Sequence, residues 1–130
     1  MQESDITSFS VRLRERTMLA SLSIYRLLMS KQTIVGNQSV VNQLIRCSSS
    51  MVANYRSATR GRSDAEFYSK ICIVVEECDE TQFWLEFLVR ANFISRTETK
   101  EICAEIEQLI KLFTAIKKTM KEKLAQKKQK

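Results

Sequence analysis

The chain has no histidine and no proline, and only two glycines, Gly36 and Gly61. Without histidine, neither a Ser-His nor a Cys-His nucleophile pair can be assembled. Any zinc shell would also lose its commonest nitrogen ligand. Without proline, no helix interior is broken by a missing N–H donor, and two isolated glycines make no phosphate-cradling loop. Long apolar runs are missing too. None approaches the roughly 18 residues needed to span a bilayer, and Met1-Gln2-Glu3-Ser4-Asp5 lacks the basic start and apolar stretch of a secretory signal. A cytoplasmic location with no membrane partner is the expectation.

The four cysteines, Cys47, Cys72, Cys78 and Cys103, form no C-x-x-C pair. They are expected as small buried hydrophobes of a reducing compartment. Glu76, Glu77 and Glu80 crowd one segment, as carboxylates do in di-metal bundles. Such sites draw a Glu-x-x-His motif from two helices, and that ligand is absent here. The sequence therefore offers no catalytic residue, no metal ligand and no cofactor site, which leaves binding or assembly.

What is present is a single domain's worth of helix-forming chain: 130 residues, 44% hydrophobic and 28% charged, a balance that supports one core. The net charge of +6 is unevenly placed. Residues 117–130 hold seven lysines against Glu122 alone, so everything before them is neutral overall. The expected division is a bundle over residues 1–124 and a disordered lysine-rich tail over 125–130.

Four amphipathic segments are legible. The fourth is the clearest, with Ile102, Ile106, Leu109, Phe113, Ile116 and Met120 at alternating steps of four and three. Ser95-Arg96-Thr97-Glu98 ahead of it fits a capping box, as does Ser63-Asp64-Ala65-Glu66 ahead of the third. The third runs through Phe67, Ile71, Val74, Cys78, Leu85 and Leu88 and stops near Asn92, a residue suited to the left-handed cap. The second follows Gly36-Asn37 with Val41, Ile45, Ser48, Val52 and Tyr55 on one face. The first carries Val11, Met18, Leu22, Tyr25 and Met29 at helical spacing. Short connections make each helix antiparallel to the one before it, and the fold class that results is all-α, an antiparallel up-and-down four-helix bundle.

Two faces are left over from that core. On the second helix Gln43, Arg46, Ser50 and Asn54 lie opposite the apolar stripe, with the small residues Cys47, Ser49 and Ala53 between them. From Gln32 to Arg62 there is no acid, but there are four arginines, Arg46, Arg56, Arg60 and Arg62. Guanidinium forks match phosphate oxygens, so these four are candidates for nucleic-acid binding. The competing reading pairs them with the acids of the third helix, Glu76, Glu77, Asp79, Glu80 and Glu86. The end of the third helix is apolar nearly all round, and one core covers only one stripe of it. Phe83, Trp84 and Phe87, together with Gln43, Ser50 and Asn54, are therefore candidates for subunit contact.

Gln43-Leu44-Ile45-Arg46, Ser50, Ala53-Asn54-Tyr55, Arg62-Ser63, Glu66-Phe67, Lys70, Ile73, Glu77, Asp79-Glu80-Thr81 and Trp84-Leu85-Glu86 follow a familiar order. In this respect the chain resembles the bacterial four-helix-bundle proteins encoded in intervening sequences of 23S ribosomal RNA genes. The resemblance covers roughly residues 10–120 and is most specific over 43–86. It implies a ring-like homopentamer without enzymatic activity. The same fold serves the accessory variability proteins of diversity-generating retroelements, so the implied partners include RNA or DNA and a reverse transcriptase or other nucleic-acid enzyme. The family pattern has an acid soon after the Ala-Asn-Tyr segment, where this chain has Arg56-Ser57-Ala58. The functional expectation is a non-enzymatic homo-oligomeric adaptor with a basic nucleic-acid surface. Its alternative is a purely structural protein–protein module.

Overall fold

A computed structural model describes residues 3–32 and 35–128, with side chains from Ser8 onward. It contains four helices in chain order: α1 (Glu3–Met29), α2 (Val35–Thr59), α3 (Asp64–Arg90) and α4 (Arg96–Lys128). Each packs against its sequence neighbours and α1 closes on α4, which completes the antiparallel bundle.

The helix boundaries follow local chemistry. Ser63 caps α3 by accepting the Glu66 N–H at 3.1 Å, while the Glu66 carboxylate reaches back to the Arg62 N–H at 2.7 Å. At α4 the capping box is reciprocal: Ser95 Oγ accepts from Glu98 N at 3.0 Å and Glu98 accepts from Ser95 N at 2.9 Å. Asn92 adopts the left-handed conformation, φ 62°, after α3. The Phe93 N–H then returns to Leu88 O and the Asn92 N–H to Val89 O, the paired bonds of a Schellman stop.

The core is centred on Leu44, Met51, Ile71, Val74, Ile106, Leu109 and Phe113, all essentially inaccessible to water. The Tyr55 and Phe113 rings lie 5.1 Å apart. Along the α2–α3 seam the contacts are between small or sulfur-bearing groups. Thr81 Oγ1 lies 3.3 Å from Cys47 Sγ, and Cys78 Sγ lies 3.2 Å from Met51 Sδ. Burial pushes the Cys78 thiol up to about 12, so it stays protonated at neutral pH.

Two expectations change. The α1 stripe facing the core is Leu13, Thr17, Ala20, Ile24 and Leu28, whereas Val11, Met18, Tyr25 and Met29 are exposed and Leu22 is half-buried. Both stripes have helical spacing. The inner one includes Thr17 and Ala20, whose small side chains fit beside a core already filled by Met51, Tyr55 and Phe113. On α2 the core face is rotated toward Leu44, Cys47, Met51 and Ala58, leaving Ile45 and Val52 only partly covered. Cys47 is buried against Thr81, which agrees with its reading as a small buried hydrophobe and not with its place in the outward row of α2. α4 itself runs through Lys128, and Asp64 pairs with both Lys123 and Lys127 along its last turns. Residues 129–130 of the expected tail lie outside the described residues, as do 1–2 and 33–34.

The two adjacent residues Leu28 and Met29 separate the alternatives for α1. Leu28→Ala is expected to lower unfolding free energy by about 2–5 kcal/mol, and Met29→Ala by less than about 0.5 kcal/mol. Urea melts followed by far-UV circular dichroism, at concentrations low enough to suppress association, provide the measurement.

Candidate nucleic-acid interface and assembly faces

The four arginines of the α2 region do not act together. Arg46 is turned toward α3, where Nη1 meets Glu77 at 3.2 Å and Nη2 pairs closely with Glu80. Its Nε also donates to Gln43 Oε1 at 3.3 Å. The guanidinium holds the Glu80 carboxyl below its ordinary range, chiefly by this hydrogen bond. Arg46 is thus the member of the set for which intramolecular pairing with the acids of α3 wins.

Arg56 and Arg60 close the far end of α2, and Arg62 stands in the loop before α3. Among the described residues, none of the three has a carboxylate within 4.0 Å of its guanidinium. Arg46 precedes Arg56 by ten residues, about 15 Å along a helix. The antiparallel topology brings other cations to the Arg56–Arg62 end: Arg12 and Arg14 from the first part of α1, Lys70 from the start of α3, and Lys117 to Lys128 from the end of α4. Two of the acids nearby are engaged. Asp64 holds two lysines, which keep its carboxyl below the usual range, and Glu66 accepts the Arg62 N–H. Sequence reasoning does not connect Arg14 and the α4 lysines with the α2 arginines. The signal was available, because an up-and-down bundle places the start of helices one and three beside the end of helices two and four.

The expected assembly residues also divide. Phe83 is 55% exposed and Phe87 45%, and with Trp84 they form a ridge whose ring centroids are 4.9 to 6.2 Å apart. Trp84 is half-buried against the core, its indole N–H 3.4 Å from Glu80. A groove of about 750 Å³ between α3 and α4 runs alongside, lined by Phe83, Val89, Cys103 and Ala104 with Asp79, Glu86 and Glu107 on its sides. The Glu86 carboxyl, clasped by Arg96 and Arg90, is lowered to about 2.

Gln43, Ser50 and Asn54 are half-buried and make bonds within α2. Asn54 Nδ2 donates to Ser50 O at 2.9 Å and to Ser50 Oγ at 3.0 Å, and Ser49 donates to Ile45 O at 2.8 Å. Small side chains here bond back to their own helix. A surface missed from the sequence lies on the α1–α2 side, where the exposed α1 stripe meets the small residues of α2. Met18, Leu22, Tyr25, Ile45, Val52 and Ala53 line a groove of about 740 Å³ that ends at Arg56 and Arg60. Among the described residues, no three Cys, Asp or Glu side chains gather closely enough to hold a metal ion. No helix there is long and apolar enough to cross a membrane.

The model of the 23S rRNA-intervening sequence proteins matches residues 10–115, most of the chain. The chain belongs to that family. A crystal structure of a protein of unknown function from the S23 ribosomal protein family of Bacteroides thetaiotaomicron is similar in fold, with a TM-score of 0.72 and 28% sequence identity. The similarity covers 82% of this chain and 98% of that one. No curated protein matches the chain.

If Arg46 is a partner of α3, its removal acts on Glu80. In Arg46→Ala the Glu80 carboxyl is expected to rise toward the ordinary glutamate range, read by NMR titration of the side-chain carbonyl. The stability contributed by the pair is present above that ordinary range and is lost as pH falls through the lowered value. Both side chains are partly exposed, so the loss at neutral pH should not exceed about 1 kcal/mol.

Proposed function

We propose that this protein is a non-enzymatic adaptor that assembles with copies of itself and offers the basic end of its bundle to RNA or DNA. The observation that carries this reading is the group Arg56, Arg60 and Arg62, which stand without carboxylate partners among the described residues beside the lysines of α4. Guanidinium groups already neutralised by acids have little to gain from phosphate, and unpaired ones gain both charge-assisted hydrogen bonds and counterion release. Arg46 is left out of the proposed surface. Its pairing with Glu77 and Glu80 is the observation that favours the rival reading, a purely structural module, at that position.

Self-assembly is supported by the two apolar faces. The α1–α2 groove and the α3 ridge are different surfaces on different sides of the bundle, so contact between them would be head-to-tail rather than two-fold. Such contacts close into a ring when the rotation permits, which agrees with the homopentamer implied by the family resemblance.

For the basic end, the test is fluorescence-anisotropy titration against structured RNA across a salt series. The double variant Arg60→Ala/Arg62→Ala is expected to weaken binding and to flatten the log K against log salt slope by about 2, one for each phosphate left without its arginine. An unchanged slope would remove these arginines from the interface. For assembly, light scattering should find Phe83→Ser/Phe87→Ser and Met18→Ser/Tyr25→Ser each reduced in size when alone. A head-to-tail contact predicts that mixing the two variants restores dimers, because each retains the face that the other is missing. A two-fold contact gives no such rescue.

A further inference from the structure

The basic end holds more than charge. A cleft of about 690 Å³ opens there, with Phe9 of α1, Phe67 of α3 and Met120 of α4 on its floor, and Arg14, Arg60 and Arg62 on its rim. The volume is within the range of sites that hold small organic groups. Phe9 is 38% exposed, so its ring is not consumed by the core. Asp64 also lines the cleft, but its carboxylate is engaged by Lys123 and Lys127 and adds no free negative charge.

An apolar, aromatic floor enclosed by guanidinium groups suits a ligand with a flat apolar face and an anionic backbone close to it. Duplex nucleic acid keeps its bases stacked inside and offers the protein phosphates, which would engage the arginines and leave the floor empty. A single strand can turn a base out onto an aromatic ring while its phosphates remain on the rim. Stacking platform plus electrostatic groove is how single strands are held without sequence preference.

We infer that this cleft seats an unpaired base of single-stranded nucleic acid on Phe9, with the flanking phosphates on Arg14, Arg60 and Arg62. The inference rests on the reading of this end as a polyanion surface and narrows it to single strands. It also assigns a role to an exposed aromatic side chain that the core does not use.

The experiment compares a labelled oligouridine with duplex RNA of the same length, using the full chain and fluorescence anisotropy. The wild type should prefer the single strand. Phe9→Ala should weaken single-strand binding by about five- to a hundredfold, the range expected when one base–aromatic stack is removed, and leave duplex binding unchanged. Phe9→Trp should retain affinity, and its emission should be quenched by the oligonucleotide in a Trp84→Phe background. Trp84 lies 17 residues beyond Phe67 on α3, about 25 Å away, and so would not report on the cleft. Equal loss for both nucleic acids, or no loss for either, overturns the stacking inference while leaving the arginine surface intact. Failure of the wild type to bind either one overturns the polyanion reading itself. Matching thermal melts of wild type and Phe9→Ala ensure that a loss reports on the cleft and not on the fold.

Discussion

The seam between α2 and α3 is the constraint on which the remaining surfaces depend. Its members are Cys47, Met51, Cys78 and Thr81, all buried, with Thr81 Oγ1 set against Cys47 Sγ and Met51 Sδ against Cys78 Sγ. Small side chains let the two helices approach closely and fix their rotation about their own axes. Once α2 is turned so that Cys47 faces inward, Arg46 must lie at the α3 border, within reach of Glu77 and Glu80. The same rotation lifts Ile45 and Val52 to the α1 border. The withdrawal of Arg46 from the phosphate surface and the new apolar groove therefore both follow from one packing choice.

Charge is organised along the bundle axis by the same economy of connections. The chain before the lysine-rich end is neutral overall, yet the described end of the bundle gathers cations from all four helices. Short loops make the direction of each helix alternate, so residues far apart in sequence share an end. Asp64 then pairs with Lys123 and Lys127, which ties the last turns of α4 to the start of α3. A charge run that would be diffuse in a free tail becomes part of a shaped surface.

Several features of the candidate surfaces were legible from residues alone, and others were hidden for identifiable reasons. The exposed Phe83 and Phe87 follow from arithmetic, since one core covers one stripe of a helix that is apolar all round. The Asn92 stop and both serine caps follow from local hydrogen bonding, which needs no tertiary partner. The α1 stripe was misplaced because two stripes of that helix have equal periodicity, and the choice between them depends on the volume left by Phe113, Met51 and Tyr55. Ser50 and Asn54 are polar by type, and that Asn54 bonds back to Ser50 within α2 follows from their spacing of four. Arg46 could not be separated from Arg56, Arg60 and Arg62 by composition, because only the interhelical geometry reveals which guanidinium finds an acid.

Hydrophobic spacing, capping residues and the absence of proline were enough by themselves to determine four helices, the starts of α3 and α4, the Asn92 stop and the alternating directions. These are properties of the chain within a few turns, where backbone hydrogen bonding and side-chain periodicity act locally. The tertiary structure alone decided which stripe of α1 is buried, where Cys47 points, which arginine is neutralised, and that Phe9 stands among cations drawn from other helices. Each of those outcomes depends on volume or distance between segments far apart in the sequence, and no local pattern carries that information.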